Sequence, residues 1–280
     1  MPNIKIVTDS TLDLPKNILE DNEIIVVPLS ITIDSETYVD GIDITPSEFI
    51  EKMKNSAELP KSSQPPAGEF LEVYNRLTAD GSEVLSIHMT GQMSGTVQSA
   101  QTAARMADGK VTVVNSKYIS NALAFQVLEA AKLAREGKSM DEILTRLDEV
   151  REHTRLFVVV DTLDNLVKGG RIGKGKAMIS SLLNIKPIAS LDTGEYTPVA
   201  KVRSQSQIVK YLVKQLLQDI EGKVIKGIGI AHAEAMELAT KLKEAIIEAT
   251  DQKDVPIFDT TPIISTHTGI GAIGFMYFAE

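Results

Sequence analysis

The stretch Leu85–Met106 reads LSIHMTGQMSGTVQSAQTAARM, and it sets the expectation for the fold. Val84–Met89 is a short apolar run of the kind that forms a strand buried on both faces. A loop with Gly91, Ser94 and Gly95 follows. Val97, Ala100, Ala104 and Ala107 then recur at helical spacing and predict one inward face. A strand, a small-residue loop and a helix start together can make an anion site. The first turn of a helix leaves N–H groups unpaired, and the helix dipole favours negative charge there. Gly91 and Gly95 allow close approach to the backbone, and Ser94 and Thr96 add hydroxyl donors. The same serine and threonine would equally serve as a plain helix cap. The Lys-Ser/Thr of a P-loop does not follow the glycines.

Outward from this stretch, strands alternate with helices. Ile4–Val7 and Ile24–Leu29 read as strands, and Asp34-Ser35 as the turn of a hairpin between Ser30–Ile33 and Thr37–Val39. Thr45-Pro46-Ser47-Glu48 and Ser139-Met140-Asp141-Glu142 are capping boxes that start helices. Lys61–Pro66 reads as an extended loop, and Ser120–Glu136 as a helix closed by Gly137. This alternation predicts an α/β fold: an N-terminal, mostly parallel three-layer α/β/α domain over residues 1–152. Ligands bind such sheets at the carboxyl ends of the strands, where Thr8–Ser10, Met89–Gly95 and Asn115-Ser116 lie. The second half, 153–280, reads as an α+β domain with a mixed sheet. Its expected elements include a short helix Asp161–Lys168 ending at Gly169-Gly170, an apolar helix Met178–Asn184 and a hairpin through Asp192-Thr193-Gly194. Strands are expected at Val224–Ala231, Val255–Phe258, Ile263–Ser265 and Ile273–Phe278. Two polar turns at Arg151–Arg155 mark the boundary.

With 280 residues, 43% hydrophobic and 24% charged, the chain is globular and long enough for two cores. The net charge of −9 argues against nucleic acid as ligand. The absence of cysteine rules out disulfides, a thiolate nucleophile and cysteine-ligated zinc. No signal-peptide pattern opens the sequence, and no apolar run approaches the ~18 residues of a membrane span. A cytoplasmic protein of acidic, bacterial type is expected, with no metal, no cofactor and no transmembrane segment.

Several motifs then fall in register. They are Thr8-Asp9-Ser10, Val39-Asp40-Gly41, Lys61-Ser62-Ser63-Gln64-Pro65 and Ser94-Gly95-Thr96 in the first half. Gly169-Gly170-Arg171-Ile172, Lys201-Val202-Arg203 and His267-Thr268-Gly269-Ile270-Gly271 follow in the second. Together they resemble the DegV family, fatty-acid-binding proteins that serve as the B subunit of bacterial fatty acid kinase. The resemblance covers the whole chain. It implies a carrier without catalysis of its own. The carrier would present a long-chain fatty acid to an ATP-dependent kinase subunit, and the acyl phosphate would pass to an acyltransferase for phospholipid synthesis. It implies carboxylate binding by Ser62 and Ser94, with Ser63, Gly95, Thr96, His267 and Thr268 around them. It implies that Arg171 and Arg203, with His267, surround the carboxylate and the kinase-docking face. Ser62 stands where threonine is commoner, Asn115 where aspartate is usual, and Ile119–Phe125 lacks the usual glycines.

The chemistry of the residues agrees with that assignment. An acyl chain gains about 0.8 kcal/mol per buried methylene, but its carboxylate cannot enter a dry slot unpaired. Hydroxyls of Ser62 and Ser94 and the helix start at Gly95-Thr96 would hold it without a fixed cation, leaving Arg171, Arg203 and His267 for an added phosphate. Duller roles are also open: Ser62 and Gln64 as turn residues, Arg171 as partner of a helix C-terminus, Lys174 and Lys176 as a solvated face. A hydrolase built on Ser94, His267 and Asp9 is the main alternative, although Gly91-Gln92-Met93-Ser94-Gly95 lacks the Gly-x-Ser-x-Gly elbow. A dinucleotide-binding domain lacks its glycine fingerprint after the first strand, and an interaction protein with a vestigial pocket is a third possibility.

Overall fold

The computed structural model describes residues 3–181 and 185–280. In chain order, β1 (Ile4–Asp9) runs into a 3-10 turn at Ser10–Leu12, then α1 (Lys16–Asp21) and β2 (Ile25–Val27). β3 (Ser30–Ile33), β4 (Glu36–Val39), α2 (Pro46–Asn55), β5 (Lys61–Ser63) and α3 (Ala67–Thr78) follow. β6 (Glu83–His88), α4 (Thr96–Met106), β7 (Val111–Asn115), α5 (Ser120–Arg135) and α6 (Met140–His153) complete the first half. The second half holds β8 (Thr154–Val159), α7 (Asp164–Lys168), 3-10 turns over Gly173–Ser181, β9 (Lys186–Ser190) and β10 (Thr197–Val202). It ends with α8 (Gln205–Asp219), β11 (Ile225–His232), α9 (Met236–Ala249), β12 (Ile257–Asp259), α10 (Pro262–Thr268) and β13 (Ile273–Ala279).

Two sheets carry the molecule. The first is all parallel, in the order β2-β1-β6-β7. The second has the order β10-β9-β8-β13-β11-β12 and is antiparallel except for the β11–β12 pair. Side-chain alternation explains their stacking. On β6, Leu85 and Ile87 face a central core, while Val84 faces a smaller core with Phe70, Tyr74, Ala100 and Ala103 under α3 and α4. On β8, Leu156 and Val158 face the same central core, while Phe157 and Val159 face an outer core under α8 and α9. α5 lies between the sheets and touches β1 and β6 on one side and β8, β11 and β13 on the other. This is why Ala122, Leu123, Ala124, Val127 and Ala130 are all buried. The expected α/β/α layering of the first half is present, but its second helical layer also covers the second sheet.

Both capping boxes form, and Asp34 and Ser35 take the positive φ of a two-residue hairpin turn. Three expectations are corrected. Ile263–Ser265 is not a strand but the start of α10. Pro262 at its first position fixes φ for a helix, and Thr266 and Thr268 hydroxyls donate to the carbonyls of Pro262 and Ile264. A segment with only two apolar residues could not distinguish the two states. Lys61–Ser63 is not a free loop but an edge strand, with Ser62 opposite Ile31 and Ser63 opposite Ser30. The inward face of α4 is Val97, Ala100 and Ala103, with Ala104 and Ala107 partly buried against the same core as expected. Arg151–Arg155 forms no turns, since α6 passes directly into β8. The helix expected over Met178–Asn184 lies partly outside the described residues.

Candidate functional site

β5 belongs to a three-stranded sheet of the first half, β4-β3-β5, and α10 from the second half packs on β3 and β5. Where they meet, the Ser62 hydroxyl lies 2.7 Å from His267 Nε2. These groups stand at one end of a cavity of about 330 Å³ between the two halves, within the size range of small-molecule sites.

The cavity has a polar mouth and an apolar interior. Ser62, Ser63, Gln64, Ser94, Arg171 and His267 line the mouth, with Ser63 and Gln64 exposed to solvent. Met89, Ile119, Val158, Leu166, Ile263 and Ile264 wall the interior. No aspartate or glutamate lines it, although the chain as a whole carries −9. The polar end therefore offers hydroxyl, imidazole and guanidinium donors, which suits a ligand with an anionic head.

Each donor is held by its own element. The Ser94 hydroxyl shares a 2.9 Å hydrogen bond with Thr96 Oγ1 and also accepts from Thr96 N–H, the first of α4, at 3.3 Å, since the N-cap Gly95 has no side chain to do so. Thr96 thus supports Ser94, while neither Gly95 nor Thr96 lines the cavity. Gln64 does not brace its own turn. Its amide donates to Ser99 Oγ at 2.9 Å and crosses directly over Gly95, where a Cβ would collide with it. Arg171 donates from Nε to the Met93 carbonyl at 2.9 Å and from Nη1 to the Gly169 carbonyl at 2.6 Å. It thereby ties the end of α7 to the Ser94 loop and places a fixed cation in the same wall as Ser62 and Ser94. Thr268 also lines the cavity. Arg203 does not: it is exposed ahead of α8, where its backbone N–H donates to Gln207 Oε1. Lys174 pairs with Glu195 at 2.9 Å.

Burial pushes the His267 imidazole down to about 4, and the nearby Arg171 charge adds to the shift. His267 is therefore neutral at physiological pH. Its Nδ1 and the Tyr196 hydroxyl, both buried and both in residues lining the cavity, have no partner within the described residues.

The Ser94–His267–Asp9 triad is not assembled. Asp9 is fully buried on the far face of the parallel sheet, where Oδ2 lies 3.1 Å from His88 Nδ1 and accepts from Met89 N. Burial alone would raise its pKa, but the hydrogen bond and charge of His88, with Thr11 and Met89, bring it below the usual carboxylate value. His267 faces Ser62, and no carboxylate orients its Nδ1. Among the described residues, no group of three or more His, Asp or Glu is placed to hold a metal ion, and no helix is long and apolar enough to cross a membrane.

Sequence reading missed Gln64, Tyr196 and Gly169 as parts of the site. Gln64 and Gly169 stand inside quoted motifs, whereas Tyr196 carries no sequence signal of its own. A Cβ on Gly169 would lie 2.4 Å from His267 Nδ1 and 2.9 Å from the Asn165 carbonyl. Gly169→Ala should therefore displace the imidazole towards water. Its titration midpoint, followed by NMR, should rise from about 4 towards the ordinary value of about 6.5. An unmoved midpoint would show that the ring is not confined by this glycine.

Comparison with known proteins accords with the geometry. The DegV family model, described as "Uncharacterised protein, DegV family", matches residues 3–280. A DegV domain-containing protein of Staphylococcus aureus is 46% identical over 271 residues, 97% of each chain. Among solved structures, a fatty-acid-binding DegV family protein from Thermus thermophilus aligns with a TM-score of 0.92 and 32% identity, covering 99% of this chain and 100% of its own. DegV from Bacillus subtilis, a fatty acid binding protein, aligns at 0.89 and 32%, with 99% and 100% covered. A family match along nearly the whole length, joined to close relatives in sequence and in fold, establishes that the chain belongs to the DegV family.

Proposed function

We propose that this protein is a cytoplasmic fatty-acid carrier with no catalysis of its own. It holds a long-chain fatty acid with the tail in the cavity interior and the carboxylate at the mouth. The observation that carries this reading is the division of the cavity: apolar walls inside, donors and Arg171 at the mouth, and no carboxylate among its lining residues. An acyl tail gains from burial there, and a carboxylate, which only accepts hydrogen bonds, meets groups that donate them. Ser62, Ser94 and His267 hold the headgroup, with Ser63 and Thr268 beside them. Thr96 and Gly95 position Ser94. Arg171 supplies the opposite charge. Fatty acid binding by the Thermus thermophilus and Bacillus subtilis relatives supports the same ligand class.

The carboxyl group at the mouth is presented to an ATP-dependent kinase subunit. There a carboxylate oxygen forms a bond to the γ-phosphorus of ATP as the bond to ADP breaks. The acyl phosphate then serves an acyltransferase in phospholipid synthesis. Arg203, exposed and outside the cavity lining, belongs to the kinase-facing side.

Organic extraction of the purified protein followed by mass spectrometry tests the ligand. A long-chain fatty acid at near one per chain is expected, and a protein that neither arrives with one nor takes up added oleate ends the carrier reading. Arg203→Ala should leave oleate affinity within about twofold of the parent, as expected for a surface change away from the ligand. In an assay with the kinase subunit and ATP it should abolish most acyl phosphate formation. Loss of oleate binding in this variant would remove Arg203 from the kinase-facing role.

A further inference from the structure

Asp13 follows the 3-10 turn after β1 in a left-handed backbone conformation and is 5% exposed. Its carboxylate reaches across to the second half. Oδ1 accepts from the backbone N–H of Thr261 at 2.8 Å, and Oδ2 accepts from the Thr260 hydroxyl at 2.9 Å. Oδ2 also accepts from the Ser120 hydroxyl, at the start of α5. The Asp13 carbonyl accepts from the Asn121 amide at 3.0 Å. Thr261 is the N-cap of α10 and makes no side-chain capping bond of its own. The other end of this two-turn helix carries His267 and Thr268, and there His267 meets Ser62. Both ends of α10 are thus hydrogen-bonded to the first half, and Asp13 holds the end away from the cavity mouth.

We propose that Asp13 is a positioning residue for the cavity: by clasping the start of α10 to the first half, it fixes His267 and Thr268 against Ser62. Release of this clasp lets α10 move with the second half, so Asp13 governs how readily ligand leaves. The effect on ligand rests on the fatty-acid reading, whereas the effect on His267 does not.

The clasp is also sensitive to pH. Burial pushes Asp13 up to about 6, against the lowering effect of its bonds to Ser120, Thr260 and Thr261. The charged groups around it are Asp40 behind β4 and Asp9 on β1 with its partner His88. Further out on β11 and β12 are His232 and Asp259, 3.6 Å apart. Asp40 is itself pushed up to about 7 by burial and by the charges of Asp13 and Asp9. Opening the clasp returns Asp13 to water, where it ionises at its ordinary, lower pKa. The closed form therefore binds the proton more tightly, and acid favours closure.

The test uses the full chain with Asp13→Ala and Asp13→Asn. The asparagine keeps one oxygen for Thr261 N–H, and its amide can donate to the Ser120 and Thr260 hydroxyls. Asp13→Ala should shift the imidazole nitrogen signals of His267 in NMR and speed oleate dissociation by about tenfold, the scale of one lost hydrogen bond to a charged group. Asp13→Asn should restore the His267 signals. In stopped-flow measurements from pH 8 to pH 5, parental oleate release should slow as pH falls through about 6. Asp13→Asn should lose that component and keep the one due to Asp40. Unchanged His267 signals in a folded Asp13→Ala, or identical pH profiles for parent and Asp13→Asn, overturn the proposal. If Asp13→Ala does not fold, the Asp13→Asn profile decides alone. If no variant and no parent binds oleate, the fatty-acid reading fails, and the His267 signals still decide whether Asp13 positions the helix.

Discussion

Alanine at both Ser62 and Ser94 should weaken oleate binding by on the order of several hundred-fold. A hydrogen bond to a charged group contributes about 1.5–3 kcal/mol, so two such bonds are worth about 3–4 kcal/mol after partial compensation by water at the mouth. At about 1.4 kcal/mol per decade, that is two to three decades in Kd. Each single variant should lose roughly tenfold or more. The two effects should not add fully, because Arg171 and His267 share the same small headgroup. Equilibrium dialysis of delipidated protein gives the measurement. The methyl ester of the same acid provides the control. It has no charge to hold, so parent and double variant should bind it about equally. A double variant that binds oleate within about threefold of the parent would falsify the assignment of these serines to the headgroup.

The largest effect on stability is expected at His88, away from the cavity. His88→Ala should cost about 3–5 kcal/mol of unfolding free energy, because it removes a donor from a fully buried charged carboxylate and leaves a hole beside it. His88 and Asp9 are both fully buried. His88 Nε2 lies 2.7 Å from the Ser86 hydroxyl, which in turn accepts from Tyr74 at 2.8 Å. The His88 ring also stands edge-on to Phe70, 5.0 Å between centroids. Tyr74, Ser86, His88 and Asp9 thus form one continuous buried chain of hydrogen bonds. Urea unfolding would measure the loss as a lower midpoint. Ser86→Ala, which breaks the chain further from the charge, should cost only about 1 kcal/mol. Equal losses in the two variants would show that the network is not centred on Asp9. The site should suffer as well, since the same carboxylate accepts from Met89 N at 2.8 Å, where β6 enters the Ser94 loop.

The strand and helix pattern was legible where burial imposes a period. The run Val84–Met89 is apolar because both faces of the parallel sheet are covered, and the two capping boxes announced α2 and α6 through short-range hydrogen bonds. Ser62, Ser94, Arg171 and His267 were legible as motifs, and they do meet in one cavity. Ile263–Ser265 was misread because so short an apolar segment fits a strand or a helix equally, and Pro262 was the discriminating signal. Asp9 invited pairing with His267 on paper, yet the two-residue period of β1 and β6 turns it to the opposite face, towards His88.

Local order, then, was set by the sequence: which residues cap, which alternate, which runs bury both faces. Tertiary structure decided which distant groups share a wall. Ser62 meets His267 across 205 positions and Asp13 meets Thr261 across 248. Periodicity records only that a face is covered, not by what. The partner is chosen when α5 enters between the two sheets and α10 closes over β5, and that choice belongs to the packing of the whole chain.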